Sequence, residues 1–129
     1  MSDANSAPVI QGNLMQGKRG IVMGVANDRS IAWAIAKAVA AKGGELAFTY
    51  QGDALAKRVA PLAESIGSSL LLPCDVGDDA ALDATFEVIR ERWGSSDFVV
   101  HAIGWADKQH LLGRYPATPR EAFQKAMDI

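Results

Sequence analysis

The residues best suited to chemistry lie in a short loop between an apolar run and a segment of helical periodicity. Residues 24–32 have the sequence Gly-Val-Ala-Asn-Asp-Arg-Ser-Ile-Ala. In an open parallel sheet, backbone N–H groups and the positive end of a helix dipole point into such a loop, where both attract nucleotide phosphates. Of the usual Gly-x-Gly-x-x-Gly pattern only Gly24 remains, while Ser30 is placed to cap the helix and to donate to a phosphate oxygen. An ordinary strand–helix loop capped by Ser30 fits the same residues, so the loop alone leaves both interpretations open.

Strands and helices alternate around this loop. Short apolar runs predict strands, and apolar residues at helical spacing predict helices. The predicted strands are 19–24, 45–50, 69–73 and 97–101, and the predicted helices are 30–42, 53–66 and 80–93. Such alternation with short connections predicts an α/β fold with a doubly wound, Rossmann-like parallel sheet.

The two ends of the chain depart from this regular pattern. Residues 1–17 are polar and rich in Ser, Asn and Gly, which predicts a mobile leader before a single dinucleotide-binding domain that starts at residue 18. A last helix is predicted to have Thr118 as its N-cap, Pro119 as its first residue and Glu121 in a capping box. Because the strands of a second half do not follow, we expect residues 18–129 to be the N-terminal part of the domain, truncated before its C-terminal strands.

Composition narrows the class of partner. A formal net charge of -2, without a long block of one sign, does not favour a nucleic-acid or membrane partner. No segment approaches the roughly 20 apolar residues that span a bilayer. Cys74 is the only cysteine, which excludes an internal disulfide and fits a cytoplasmic location. His101 and His110 have no third ligand at metal spacing, so no metal site is predicted.

Five segments together resemble one family. They are Gly24-Val25-Ala26 with Ser30-Ile31-Ala32, then residues 45–51, 74–76, 101–104 and 125–129. In this order they are similar to the NADH-dependent enoyl-acyl-carrier-protein reductases of the short-chain dehydrogenase/reductase superfamily. The resemblance covers the chain from Gly17 to Ile129. Met23, Ala102 and Trp105 depart from residues that are more usual in the family, which bears on cofactor affinity more than on membership.

The resemblance implies a site for NADH. Gly24, Ser30 and Ile31 are expected to line its pyrophosphate and the neighbouring ribose. Gln51 follows the second predicted strand, where an amide can hydrogen-bond the adenosine ribose without attracting a 2′-phosphate. No lysine or arginine directly follows Gln51, so NADH is favoured over NADPH. A solvated polar residue at a strand end is the alternative for Gln51 taken alone.

The resemblance also implies which residues contact the adenine and the acyl substrate. Asp75 is expected to accept from the adenine amino group, while Val76 and Ile103 pack near the ring. An Asx turn, or a cap for the following helix, is the alternative for Asp75. Ala106 matches a position whose backbone contacts the acyl substrate.

The implied reaction is reduction of a trans-2-enoyl thioester, carried on acyl carrier protein, in fatty-acid biosynthesis. The family uses a tyrosine near the developing enolate and a lysine seven residues later on the same helix. Tyr50 and Lys57 have this spacing, but they lie on a predicted strand and the next helix, so no catalytic residue is assigned. A homotetramer is also implied. Another superfamily member such as a ketoacyl reductase, or a non-catalytic nucleotide-binding module, remains the alternative.

Overall fold

The computed structural model describes residues 8–129, in which four β-strands alternate with α-helices. The elements are β1 Arg19–Met23, α1 Ile31–Ala41, β2 Glu45–Tyr50, α2 Asp53–Ser65, β3 Leu70–Pro73, α3 Asp79–Trp93, β4 Phe98–His101 and α4 Arg120–Asp128. Two short 3-10 turns, Lys108–His110 and Tyr115–Ala117, lie between β4 and α4. The seven elements up to β4 fall within about one residue of their predicted bounds, because buried parallel strands are continuous apolar runs.

The four strands form one parallel sheet in the order β3-β2-β1-β4. Val22 of β1 is paired with Phe48 of β2 on one side and with Val100 of β4 on the other. The predicted α/β, Rossmann-like fold class is therefore confirmed. After β3 the chain returns to the opposite side of β1, and this reversal marks the point where open α/β sheets bind ligands.

Apolar side chains cover both faces of the sheet. On one face, Val22 and Phe48 pack with Trp33 of α1 and Val59 of α2. The Trp33 and Phe48 rings lie 6.3 Å apart between centroids, a tilted aromatic contact. On the other face, a second cluster includes Ile89 of α3. Successive residues of β1 alternate between these clusters, as the period of a strand requires, so β1 is held from both sides.

Helix α4 does not begin as predicted. Its N-cap residue is Pro119, without a side-chain hydrogen bond, and its first residue is Arg120. Thr118 instead ends the preceding 3-10 turn, where its N–H donates to the carbonyl of Tyr115. The predicted capping box is therefore wrong, because the turn takes up the residue that would have capped the helix.

The segment before β1 contacts the end of α1. The N–H of Gly12 donates to the Ala41 carbonyl, and that of Met15 donates to the Lys42 carbonyl, both at 2.9 Å. The mobility expected of residues 1–17 stays a prediction, and residues 1–7 lie outside the described part of the chain. Among the helices of residues 8–129, none is long and apolar enough to cross a membrane.

Candidate functional site

The carboxyl ends of all four strands open onto one crevice of about 550 Å³. Loops after β1, β2, β3 and β4 each supply part of its wall, and the end of β2, the start of α2 and the end of α4 also contribute. The lining includes Gly24, Gln51, Asp75, Val76, Ile103 and Lys125. The crevice therefore lies at the edge and at the strand-order reversal where this type of sheet binds ligands.

Gly24 closes the floor of the crevice. Its φ of +109° is in a region that L side chains rarely adopt, and a Cβ there would lie 2.1 Å from the carbonyl oxygen of Ala102. The N–H of Ala102 in turn donates to the Met23 carbonyl at 3.0 Å. Only glycine allows this contact between the ends of β1 and β4, so the crevice floor depends on it.

Ser30 stabilises the loop rather than the helix. Its Oγ accepts from the N–H of Ala26 at 2.9 Å and of Asn27 at 3.1 Å. Ser30 is the N-cap residue of α1, but its side chain makes no capping hydrogen bond, so that expectation is wrong. The reason is the turn in which the Ser30 N–H donates to the Asn27 carbonyl, which brings the loop amides to the hydroxyl. The hydroxyl proton is still available for donation to a ligand.

The start of α1 offers backbone donors beside this loop. The N–H groups of Trp33 and Ala34 donate to the Ser30 carbonyl, whereas those of Ile31 and Ala32 have no acceptor within the helix. The side chain of Ile31 is 77% exposed and does not line the crevice. If Ile31 contacts a ligand, its backbone is therefore the better placed group.

Gln51 and Asp75 are bonded to each other. Gln51 Nε2 donates to Asp75 Oδ2 at 3.1 Å, and Asp75 Oδ1 accepts from the N–H of Gly77 at 2.9 Å. The second contact is the Asx turn considered for Asp75. The other alternative, a cap for α3, is excluded because Asp78 caps that helix by accepting from Ala80 and Ala81. Two strand ends that are 24 residues apart in the chain thus present one polar unit to the crevice.

Helix α4 contributes a wall that the sequence analysis missed. Lys125 Nζ lies 4.7 Å from the ring centroid of Trp105, and Asp128 and Ile129 also line the crevice. An ammonium over an aromatic face is an attractive contact, here joining α4 to the loop after β4. The sequence did contain an indication of this wall. Residues 125–129 are one of the five segments that resemble the family, and the other four contribute to the predicted site.

The structure thus brings five of the expected site residues together: Gly24, Gln51, Asp75, Val76 and Ile103. Ser30 and Ile31 lie in the adjoining loop and at the start of α1, outside the lining itself. Ala106 is exposed, one residue beyond Trp105, and does not line the crevice. Within residues 8–129, no group of three or more His, Cys, Asp or Glu is arranged to hold a metal ion.

Known proteins resemble this chain in sequence and in fold. A family model described as enoyl-(acyl carrier protein) reductase matches residues 24–129. The chain is 60% identical over 116 residues to an NADH enoyl-acyl-carrier-protein reductase, numbered 2, of Rhizobium meliloti strain 1021. The match covers 90% of this chain and 43% of that relative. The chain thus spans less than half the length of this curated relative.

Two solved structures show the same likeness. One is an enoyl-acyl-carrier-protein reductase from Anaplasma phagocytophilum in complex with NAD, with a TM-score of 0.89 and 52% identity. It is matched over 95% of this chain and 47% of its own. The other is the Bacillus cereus enoyl-acyl-carrier-protein reductase with NADP+ and indole naphthyridinone, with a TM-score of 0.87 and 44% identity. It is matched over 91% of this chain and 46% of its own.

Proposed function

This chain belongs to the enoyl-acyl-carrier-protein reductase family, and on that premise we propose that its crevice binds NADH for the reduction of enoyl thioesters. The observation that carries the proposal is the convergence of all four strand ends on one crevice beside the unpaired first amides of α1. A dinucleotide needs that combination, because its diphosphate requires donors and its nucleoside requires a pocket. The substrate is a trans-2-enoyl group carried on acyl carrier protein in fatty-acid biosynthesis.

The crevice residues fit the parts of NADH in order. The diphosphate lies against the loop from Gly24 to Ser30, where the Ser30 hydroxyl and the Ile31 N–H donate to its oxygens. Gly24 adds no side chain that would block this approach. The adenosine ribose hydroxyls bond to Gln51, which lies at the end of β2.

The adenine lies farther along the sheet edge. Val76 and Ile103 pack against the ring, and an oxygen of Asp75 accepts from its amino group. Each carboxylate oxygen has two lone pairs, so Asp75 has an acceptor position left beside each of its bonds to Gln51 and Gly77. For the acyl group, we propose a contact with the backbone of Ala106, which is exposed and follows the lining residue Trp105.

NADH, when bound, supplies the hydride that reduces the double bond at the carbon β to the thioester carbonyl. The described residues bind and orient that cofactor. Tyr50 ends β2 and Lys57 lies in α2, so the structure does not place this pair on one helix. We therefore assign the tyrosine and lysine of the reaction to neither residue. We further propose that the protein works as a homotetramer in the cytoplasm, as its likeness to the family implies.

The test is NADH oxidation by the full-length protein that carries this chain. The full-length protein should oxidise NADH when crotonyl thioester is added. Residues 1–129 alone should show no turnover, because they hold no tyrosine and lysine seven residues apart on one helix of residues 8–129. Acetoacetyl thioester serves as the control substrate for a ketoacyl reductase. Turnover with acetoacetyl thioester and none with crotonyl thioester would replace the proposal by that rival, and turnover with neither would defeat the enzyme assignment.

A further inference from the structure

The Gln51–Asp75 hydrogen bond fixes which way the glutamine amide faces. An ionised carboxylate can only accept, so the amide nitrogen must face Asp75 Oδ2, as it does at 3.1 Å. Asp75 cannot turn freely, because its Oδ1 is held by the Gly77 N–H at 2.9 Å. Gln51 therefore directs its carbonyl oxygen, Oε1, away from Asp75 as an acceptor, and only one N–H of its amide is left as a donor.

We propose that Asp75 is a positioning residue that makes Gln51 select an unphosphorylated ribose. This inference rests on the proposed function and concerns the same crevice. A ribose hydroxyl can donate to Oε1, whereas a 2′-phosphate dianion has only acceptor oxygens and would lie beside the Asp75 charge. The pair thus favours a hydroxyl, because the acceptor Oε1 faces the ribose, and the Asp75 charge repels a 2′-phosphate.

The substitution Asp75→Asn should reverse the direction of the amide. Asparagine keeps an oxygen that can accept from Gly77, but its NH2 group then faces Gln51. Gln51 must turn its Oε1 toward that donor, which leaves its own NH2 group as the part presented to the ribose. The same site then offers donors to a 2′-phosphate and no longer repels it by charge.

The experiment measures dissociation constants for NADH and NADPH with the full-length protein and its D75N variant. The ratio of the NADH constant to the NADPH constant should rise about tenfold in D75N. The matched control is D128N, which removes the same charge from the α4 wall of the crevice. In D128N the ratio of the two dissociation constants should change less than about twofold. Solvent screens the charge that is removed, and the Gln51 amide keeps its direction.

A double-substitution cycle separates positioning from charge. In a Q51L background there is no amide to turn, so D75N should move the ratio markedly less than it does when Gln51 is present. An equal shift in both backgrounds would overturn the inference. So would an unchanged ratio in D75N, or a ratio in D128N that moves as far as in D75N.

Two further outcomes keep the inference distinct from the proposed function. If D75N does not fold, the Q51L variant alone provides the test. It should weaken NADH binding and reduce the preference for NADH over NADPH. An unchanged ratio of the two dissociation constants would overturn the inference. Binding of neither dinucleotide by the unsubstituted protein would defeat the proposed function and this inference together. NADH binding without the D75N shift would defeat this inference alone.

Discussion

At the scale of single residues, Gly24 is constrained in two independent ways. Its φ of +109° and the 2.1 Å approach of Ala102 both exclude a Cβ. Gly24→Ala should therefore lower the free energy of unfolding by about 3 kcal/mol, from backbone strain and overpacking together. Urea unfolding of the full-length protein measures this.

Gly104 provides the matched control for that substitution. It lines the same crevice, yet a Cβ there would meet nothing within 4 Å, and its φ is not positive. Gly104→Ala should leave the unfolding midpoint close to that of the unsubstituted protein. Equal losses for both alanine variants would contradict the packing assigned to Gly24.

Gln51 is the residue through which a change of cofactor is expected. Gln51→Arg should shift the preference toward NADPH, because a guanidinium can donate to a 2′-phosphate and remain paired with Asp75. The shift should be about tenfold in the ratio of dissociation constants. Gln109→Arg, the same change on an exposed turn, is the control. A shift of equal size in that control would show that net charge, and not position, sets the preference.

Several of these residues could be predicted from the sequence because the family resemblance assigns them to one NADH site. The resemblance implies that Gly24, Gln51 and Asp75 contact one cofactor, and all three line one crevice, where the ends of the parallel strands meet. The bond between Gln51 and Asp75 could not be predicted, since it depends on the directions of two loops. The same limit explains Ser30, whose hydroxyl contacts loop amides instead of helix amides.

At the scale of elements, α3 shows what a cap contributes. Asp78 accepts from the N–H groups of Ala80 and Ala81, which have no acceptor within the helix. Asp78→Ala should lower the free energy of unfolding by about 1 kcal/mol. Asp83→Ala, an exposed position inside the same helix, should change it little, and urea unfolding compares the two. A larger loss at Asp83 than at Asp78 would contradict the cap.

The elements differ in how well the sequence defines them. Strand β2 was predicted at its observed bounds because residues 45–50 are an apolar run between a Gly-Gly turn and a polar loop. Helix α4 was not, since Thr118 suits both a helix cap and the end of a turn, and tertiary context decides between them. The approach of α4 to Trp105 also depends on that context.

At the scale of the whole molecule, strand order decides where a ligand binds. The order β3-β2-β1-β4 has its reversal beside β1, and Gly24 lies at that reversal. The alternation of elements predicted a doubly wound sheet, and the family resemblance implied its ligand. The chain spans less than half of the Rhizobium meliloti relative, so the activity of the whole protein stays a proposal.

The most direct test of the central claim is a crystal structure of the full-length protein grown with NAD+. The diphosphate should lie against the loop from Gly24 to Ser30, with the adenosine ribose at Gln51 and the adenine between Val76 and Ile103. A structure with the dinucleotide bound elsewhere, or with side chains filling the crevice while the dinucleotide is present, would contradict the account.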